Sequence, residues 1–520
     1  MANDYKTPGV YVEEIPKFPP SVAGVATAIP AFIGYTDYAP DVNIVPRRIT
    51  SLLEYETLFG QGPELFVNED DKSIVNIEYV LYDSIRLFYD NGGGVCYIVS
   101  VGQYGDDLSF DSFKKGIDAL EKVDEVTLLL FPDAVSLSDA DFAGVQNVAL
   151  KHCQKLGDRF AILDVKKKGI SLEDDVQNFR DTISSNALEL RYGAAYYPYL
   201  STIYTKPWTF KDLRIYLDDF EDLIDLMDDK AKANLLSVLE IDLDTFLSED
   251  DEAEINAITL PEGEVDEDEE KEGEEEDVVV DEEEDDLLEK MQAAKTDELV
   301  AVNKLRINSI IPFIPGYADA VKELNAKATL IPPSGAIAGI YSATDQYQGV
   351  WKAPANVSIA SLSGVSDFIT AQSQENMNID SNAGKSVNAI RVFSGKGILV
   401  WGARTLDGNS NEWRYVPVRR LFNYIEESVQ KSTSWAVFSP NDGNTWIKIK
   451  SQIENFLNNL WRVGALAGST PESSYFVNVG LNITMTAEDI LNGMLIVEIG
   501  LAAVRPAEFI ILRFSHKMQE

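Results

Sequence analysis

The chain is poor in the residues that carry most cross-linking and reactive chemistry. Its 520 residues include two cysteines, Cys96 and Cys153, and two histidines, His152 and His516. Two thiols cannot build a disulfide-rich secreted scaffold or a four-thiolate zinc site. Positive charge is scarce as well: 44 Lys and Arg stand against 86 Asp and Glu, a formal net charge of −42. Affinity for nucleic acid or anionic membrane begins with clustered Lys and Arg, which argues against a general binder of either. Long apolar runs are missing. The best stretch near the C-terminus, Leu495 to Val504, is short and carries Glu498, against the roughly 18 residues a spanning helix needs. The opening MANDYKTPGVYVEE lacks a cationic start followed by an apolar core, so no secretory signal is expected and assembly in a cytoplasm is.

What is present suffices for large cores. Hydrophobic residues make up 45% of the chain and aromatics 10%, and the length suggests about three domains. The charge is uneven. Residues 249–289 hold 24 acidic residues and one basic one, Lys271, more than half of the total net charge. Such a run repels itself and buries too little apolar surface to offset the entropy of ordering, so a disordered acidic insertion is expected there. From Lys385 to Glu520 the balance is 14 basic to 12 acidic, and six of the seven tryptophans lie beyond position 350. A near-neutral, aromatic-rich C-terminal part suits close packing or interfaces.

Short apolar runs alternate with helical spacing through the first 200 residues. AIPAFIGYT (28–36), VCYIVSV (95–101), VTLLLF (126–131), RFAILDV (159–165) and AAYYPYL (194–200) read as buried strands. Helices are expected over 50–60, 73–90, 110–122, 138–156 and 173–185. This alternation predicts a doubly wound α/β domain with a parallel sheet. Helical spacing is also read over 209–247, 286–308 and 316–327. The C-terminal part predicts an α+β domain. Its strands are expected at 396–404, 412–418, 475–485, 494–504 and 508–514, with a helix over Arg419–Lys431. Trp446, Ile449, Ile453, Phe456, Leu457, Leu460 and Trp461 line one face of a long helix that Gly464 ends.

Reactive motifs fail one by one. Gly384-Lys385-Ser386 lacks the glycine five positions before its Gly-Lys pair, which here is Ile379. Asp407, Asn409 and Asn411 alternate like calcium ligands, but Glu412 and Val418 occupy the places of the required Gly and bidentate Glu. Gly92–Gly94 follow a helix rather than precede one, as a helix stop would. Neighbouring His152 and Cys153 project in different directions from one helix. No catalytic, cofactor-binding or metal-ligating residue is assigned. A chain without a reactive constellation is expected to act through its surfaces.

The termini suit that role. TPGVYVEEIPKFPPS (7–21) alternates around Val10, Tyr11 and Val12 and then breaks at prolines 16, 19 and 20; EFIILRF (508–514) carries Phe509, Ile511 and Leu512. Strands at both ends can add to a neighbour's sheet edge, or can complete their own sheet.

The opening YKTPGVYVEEI…SVAGVATAIPAFIGYT resembles the start of contractile tail sheath proteins. So do PPSGAIAGIYSATDQYQGVWKAPA (332–355), IRVFSGKGILVWGAR (390–404), EWRYVPVRRLFNYIEE (412–427), WAVFSPNDGNTW (435–446), FLNNLWRVGALAG (456–468) and RPAEF (505–509). The likeness is strong over 1–36 and 330–520, weaker over 50–200 and absent over about 209–310. Ser439 departs from the acidic residue often found there in the family.

The resemblance implies a non-enzymatic structural subunit: a homo-oligomer of stacked helical rings around an inner tube protein, with baseplate and terminal cap proteins as further partners. It implies an N-terminal arm (1–20), an outer α/β region (21–340) bearing the acidic insertion, an inner sheath domain (341–505) and a C-terminal arm (506–520). Val10, Tyr11, Val12, Phe509, Ile511 and Leu512 would form the inter-subunit arms. Arg419, Arg420, Lys448, Lys450 and Arg462 are the candidates for tube contact. Contraction of a metastable extended state would drive the tube through a target envelope, without cofactor, nucleic acid or membrane insertion. A single chain with both terminal hallmarks argues against a two-protein sheath. A capsid-free injection particle, released from the cell, is favoured over a phage tail. A flavodoxin-like flavin enzyme and a static shell or surface-layer protein remain as other readings.

Overall fold

The computed structural model describes residues 21–39, 43–169, 171–209, 212, 215–217 and 317–513. The expected N-terminal arm with Val10, Tyr11 and Val12, the acidic insertion and the helix over 286–308 lie outside the described residues, as does nearly all of 209–247.

Two compact units are present, the larger formed by residues 1–61, 80–199 and 332–520. Its described residues contain a nine-stranded sheet. In chain order the strands are β1 (Pro30–Thr36), β2 (Arg47–Ile49), β3 (Cys96–Gln103), β4 (Leu128–Leu130), β5 (Phe160–Asp164), β6 (Gly193–Tyr197), β7 (Val357–Ser358), β8 (Val387–Phe393) and β9 (Gly397–Val400). Their spatial order is β7-β9-β8-β6-β5-β4-β1-β3-β2. The six strands from β8 to β3 run parallel, and β2, β9 and β7 are antiparallel additions at the edges. Every residue of β1, β4, β5 and β6 is buried, which is why these strands read as unbroken apolar runs.

Helices flank the sheet: α1 (Leu81–Asp90), α2 (Phe110–Ala119), α3 (Asp139–Leu156), α4 (Leu172–Thr182) and α5 (Ser334–Gln348). Ser109, Ser138 and Ser171 each cap a helix start by accepting an N–H three residues on, the local signal that fixes where α2, α3 and α4 begin. Helix α5 lies against α1 with its glycines inward. A Cβ at Gly335 would fall 2.3 Å from the Ser84 carbonyl, and one at Gly339 2.5 Å from the Phe88 carbonyl.

Strands β8 and β9 make the sheet continuous across the boundary expected at residue 340. Beyond them, α6 (Val416–Ser432), α7 (Gly443–Arg462) and the antiparallel pair β10 (Tyr475–Val479) and β11 (Val497–Leu501) build a second core. Leu421, Ile425, Ile449, Ile453, Leu457 and Val477 fill it, and Val22 from the chain start joins them.

Three expectations are corrected. Residues 412–418 are not a strand: the helix begins at Val416, with Pro417 in its first turn, where a missing N–H costs nothing. The helix expected over 73–90 is only Leu81–Asp90; Ile74–Val75 pairs with Phe66–Val67, and Asn76 at φ 65° breaks the run. Residues 508–513 form no strand in the single subunit.

The smaller unit comprises 62–79 and 200–331. In it Leu200–Thr202 pairs antiparallel with Leu330–Ile331. Buried Trp208 donates its indole N–H to Asn325 (3.1 Å), and the Asp212 carboxylate accepts from Val67 N (2.8 Å).

Candidate functional site

The segment that follows β11 is held at Glu508. Arg404 approaches Glu508 with both ends of its guanidinium, Nε to Oε1 at 2.9 Å and Nη2 to Oε2 at 2.6 Å. Asn378 Nδ2 donates to Oε1 (2.7 Å) and the Tyr415 hydroxyl to Oε2 (3.0 Å). The Arg404 side chain is only 4% exposed, and bidentate charge-assisted pairs of this kind are strong and directional. Burial opposes ionisation of Glu508, but hydrogen bonds from Arg404, Asn378 and Tyr415, with the Arg404 charge, hold its acid below the ordinary range. Immediately after this clamp the environment inverts: Phe509, Ile510, Ile511 and Leu512 are 67–78% exposed. Four consecutive exposed apolar residues are out of keeping with a finished soluble surface.

The start of the described chain is fastened too. Val22 sits in the C-terminal core. The Ser432 and Ser428 hydroxyls on α6 accept from Ala23 N and Val25 N, each at 3.2 Å. Gly24 is required by close approach, since a Cβ there would fall 2.2 Å from the Tyr424 hydroxyl. Residues 22–27 therefore run along α6.

The basic candidates divide. Arg419 and Arg420 are 2% and 3% exposed, and both correct the expectation of a surface contact. Arg419 donates to Asn423 (2.7 Å) and Glu426 (3.1 Å) and lies over the Trp413 ring at 4.3 Å. Arg420 grips Asp345 on α5 and the Thr27 carbonyl, over the Tyr341 ring. Their charge is spent inside the subunit. Lys448 and Arg462 on α7 are exposed, and Lys450 is half-buried beside Glu454 (3.7 Å). Composition offers no hint of Phe438, fully exposed at φ 64°; Trp435 and Trp446 are half-buried.

His152 and Cys153 are both buried. Burial, then Arg159, pushes His152 down to about 4, and burial raises the Cys153 thiol well above its usual value. The strand order β3-β1-β4-β5-β6 is that of flavodoxin-like sheets, whose ligands bind where β1 and β4 diverge. Here Asp133 occupies that crevice, accepting from Tyr35 N (2.8 Å), Val80 N and Leu81 N (both 2.7 Å). These three backbone donors are committed to a buried carboxylate. Among the described residues, Asp124, Asp158 and Glu427 bring carboxylate oxygens within 4.8 Å of one another. Lys431 Nζ already bridges Asp124 and Glu427, at 2.8 and 2.7 Å.

The comparisons with known proteins bear on what such a subunit resembles. Residues 409–517 match the family model of the phage tail sheath C-terminal domain. The chain is 26% identical over 172 residues to the tail sheath protein of Vibrio phage KVP40, covering 33% of this chain and 25% of that protein. It is 23% identical over 129 residues to the tail sheath protein of Enterobacteria phage T4, covering 24% and 19%. The matches thus span a quarter or less of those curated relatives. Solved sheaths match over nearly the full length. The contracted PVC sheath complex of an extracellular contractile injection system has a TM-score of 0.60 at 27% identity, covering 99% of this chain and 98% of that one. The contracted helical sheath of the anti-feeding prophage gives 0.60 at 26%, covering 99% and 100%. The chain's homologues and structural neighbours are contractile sheath proteins of phage tails and contractile injection systems.

Proposed function

We propose that this chain is the structural subunit of a contractile sheath that polymerises around an inner tube and contracts from a metastable extended state. The observation that carries it is the likeness, over 99% of the chain, to sheath subunits solved in the contracted state. The exposed Phe509–Leu512 segment fits an arm that adds its backbone to a neighbour's sheet edge, where ladder bonds supply affinity and alternate side chains supply register. Val10, Tyr11 and Val12 are assigned the same role at the other terminus. Each ladder hydrogen bond contributes only about 1 kcal/mol net, but the links repeat in every subunit. The work of contraction then comes from lateral contacts better made in one state than in the other.

Lys448, Lys450 and Arg462 are assigned to the face that meets the tube, and the acidic insertion to the outer surface. Baseplate and cap proteins complete the particle. The nearly full-length likeness to injection-system sheaths favours a capsid-free particle over a phage tail. Sedimentation of the expressed protein tests the reading: polymers that pellet at low speed support it, and a species that stays monomeric with its tube and baseplate proteins present overturns it.

A further inference from the structure

The root of the C-terminal arm is tied to the α/β sheet rather than to the hairpin that precedes it. After β11 the backbone stays with the C-terminal core: Ala467 N donates to the Ala502 carbonyl (2.7 Å), and Val504 N approaches that of Ala465 (3.4 Å). Arg505, Pro506 and Ala507 then cross over, and Glu508 docks on Arg404. Arg404 is itself fixed to the sheet. Its N–H donates to Asn388 Oδ1 (2.8 Å), and its carbonyl accepts from Asn388 Nδ2 (2.8 Å). Asn388, buried in β8, also donates to the Ala195 carbonyl of β6 (3.1 Å). An unbroken chain of charge-assisted and neutral hydrogen bonds runs from Glu508 through Arg404 and Asn388 into the parallel strands.

We propose that the Arg404–Glu508 pair is a mechanical coupling that transmits load from the C-terminal arm into the nine-stranded sheet, making the α/β body turn with the arm. The inference rests on the sheath reading and adds to it a positioning residue, Glu508, and a hinge that starts at Phe509. A tail fixed only by its backbone at Ala502–Val504 would swing from residue 505, leaving the sheet free of it. With Glu508 docked, the lever begins where the apolar residues begin, and a bidentate fork resists both rotation and extension.

The test uses the full chain with its tube and baseplate proteins. Glu508→Ala removes the docking group; Glu508→Gln keeps the shape and loses the charge. In unassembled subunits, hydrogen exchange at amides 505–513 should rise at least tenfold in Glu508→Ala and less in Glu508→Gln, while exchange in β1, β4 and β5 stays unchanged. In assembly, arm links persist but the α/β bodies lose their register, so the yield of uniform-width tubes should fall at least tenfold for Glu508→Ala, with Glu508→Gln intermediate. Tubes from Glu508→Ala equal to wild type in yield and width overturn the coupling and leave the sheath reading standing, as does unchanged exchange over 505–513. Wild-type chains that form no tubes overturn both.

Discussion

Arg420 and Asp345 form a two-pronged pair, Nη1 to Oδ1 at 3.0 Å and Nη2 to Oδ2 at 2.5 Å, with both side chains over 90% buried. The pair joins α6 to α5, and the Thr27 carbonyl accepts a further bond from the same guanidinium (2.8 Å). One arginine thus fastens α6, the sheet-covering helix α5 and the segment leading into β1.

Breaking that pair from one side leaves a buried charge without its partner. Arg420→Ala should lower the subunit's unfolding free energy by about 3–5 kcal/mol, whereas Arg462→Ala, at an exposed position, should change it by less than about 0.5 kcal/mol. Urea unfolding of unassembled subunits measures both. Similar small losses for the two would show that Arg420 is not the fastening described.

A second prediction concerns pH. Asp164 ends β5 and is fully buried, with its carboxylate accepting from Ser334 N at the start of α5 (2.9 Å). Burial raises its acid to about 7, with hydrogen bonds from Ser334 opposing. A carboxyl raised in the folded state stabilises the fold fully below its unfolded value near 4 and loses that contribution as pH climbs through about 7. Wild-type stability should therefore fall between about pH 4 and pH 8 by an amount on the order of 2–4 kcal/mol from this group. Asp164→Asn keeps an acceptor for Ser334 and should flatten that part of the profile. An unchanged pH dependence in Asp164→Asn would remove the assignment.

The arms give a third. Deletion of residues 1–15 should leave soluble, folded subunits that form no long sheaths, and Ile511→Asp should act the same way. The Ile511 side chain is already 78% exposed, so its replacement should alter subunit stability by no more than about 0.5 kcal/mol. Electron microscopy beside thermal unfolding separates assembly from folding. Normal sheaths from either variant would dispose of the arm role.

For the tube face, Lys448→Glu with Arg462→Glu should weaken co-sedimentation with the tube protein, most strongly at low salt, because exposed charges act through screened long-range fields. Subunit stability should be nearly unaffected. Equal co-sedimentation at every salt concentration would move the tube contact elsewhere.

Which parts of this architecture were legible follows from where the forces are local. Helix α7 was legible because Ile449, Ile453, Phe456, Leu457 and Leu460 repeat at helical spacing and all are buried. The parallel strands were legible because burial on both faces selects unbroken apolar runs. Residues 412–418 misled because Trp, Tyr and Val favour strands, while Pro417 marks a helix start only once the following turn is known. Arg419 and Arg420 misled for another reason. Whether a helical arginine faces solvent depends on its partners, and Asp345 and Trp413 come from other elements. The Arg404–Glu508 clamp spans 104 positions, beyond any local pattern, although both residues fall within the segments that carry the family resemblance.

In the proposed sheath, copies of this chain re-dock against one another in two arrangements. Electron microscopy of the chain assembled with its tube and baseplate proteins tests it most directly. Striated hollow tubes of uniform width are expected, long before triggering and shorter and wider after it. Particles that keep a single length and diameter under every trigger, or no tubes at all, would contradict it.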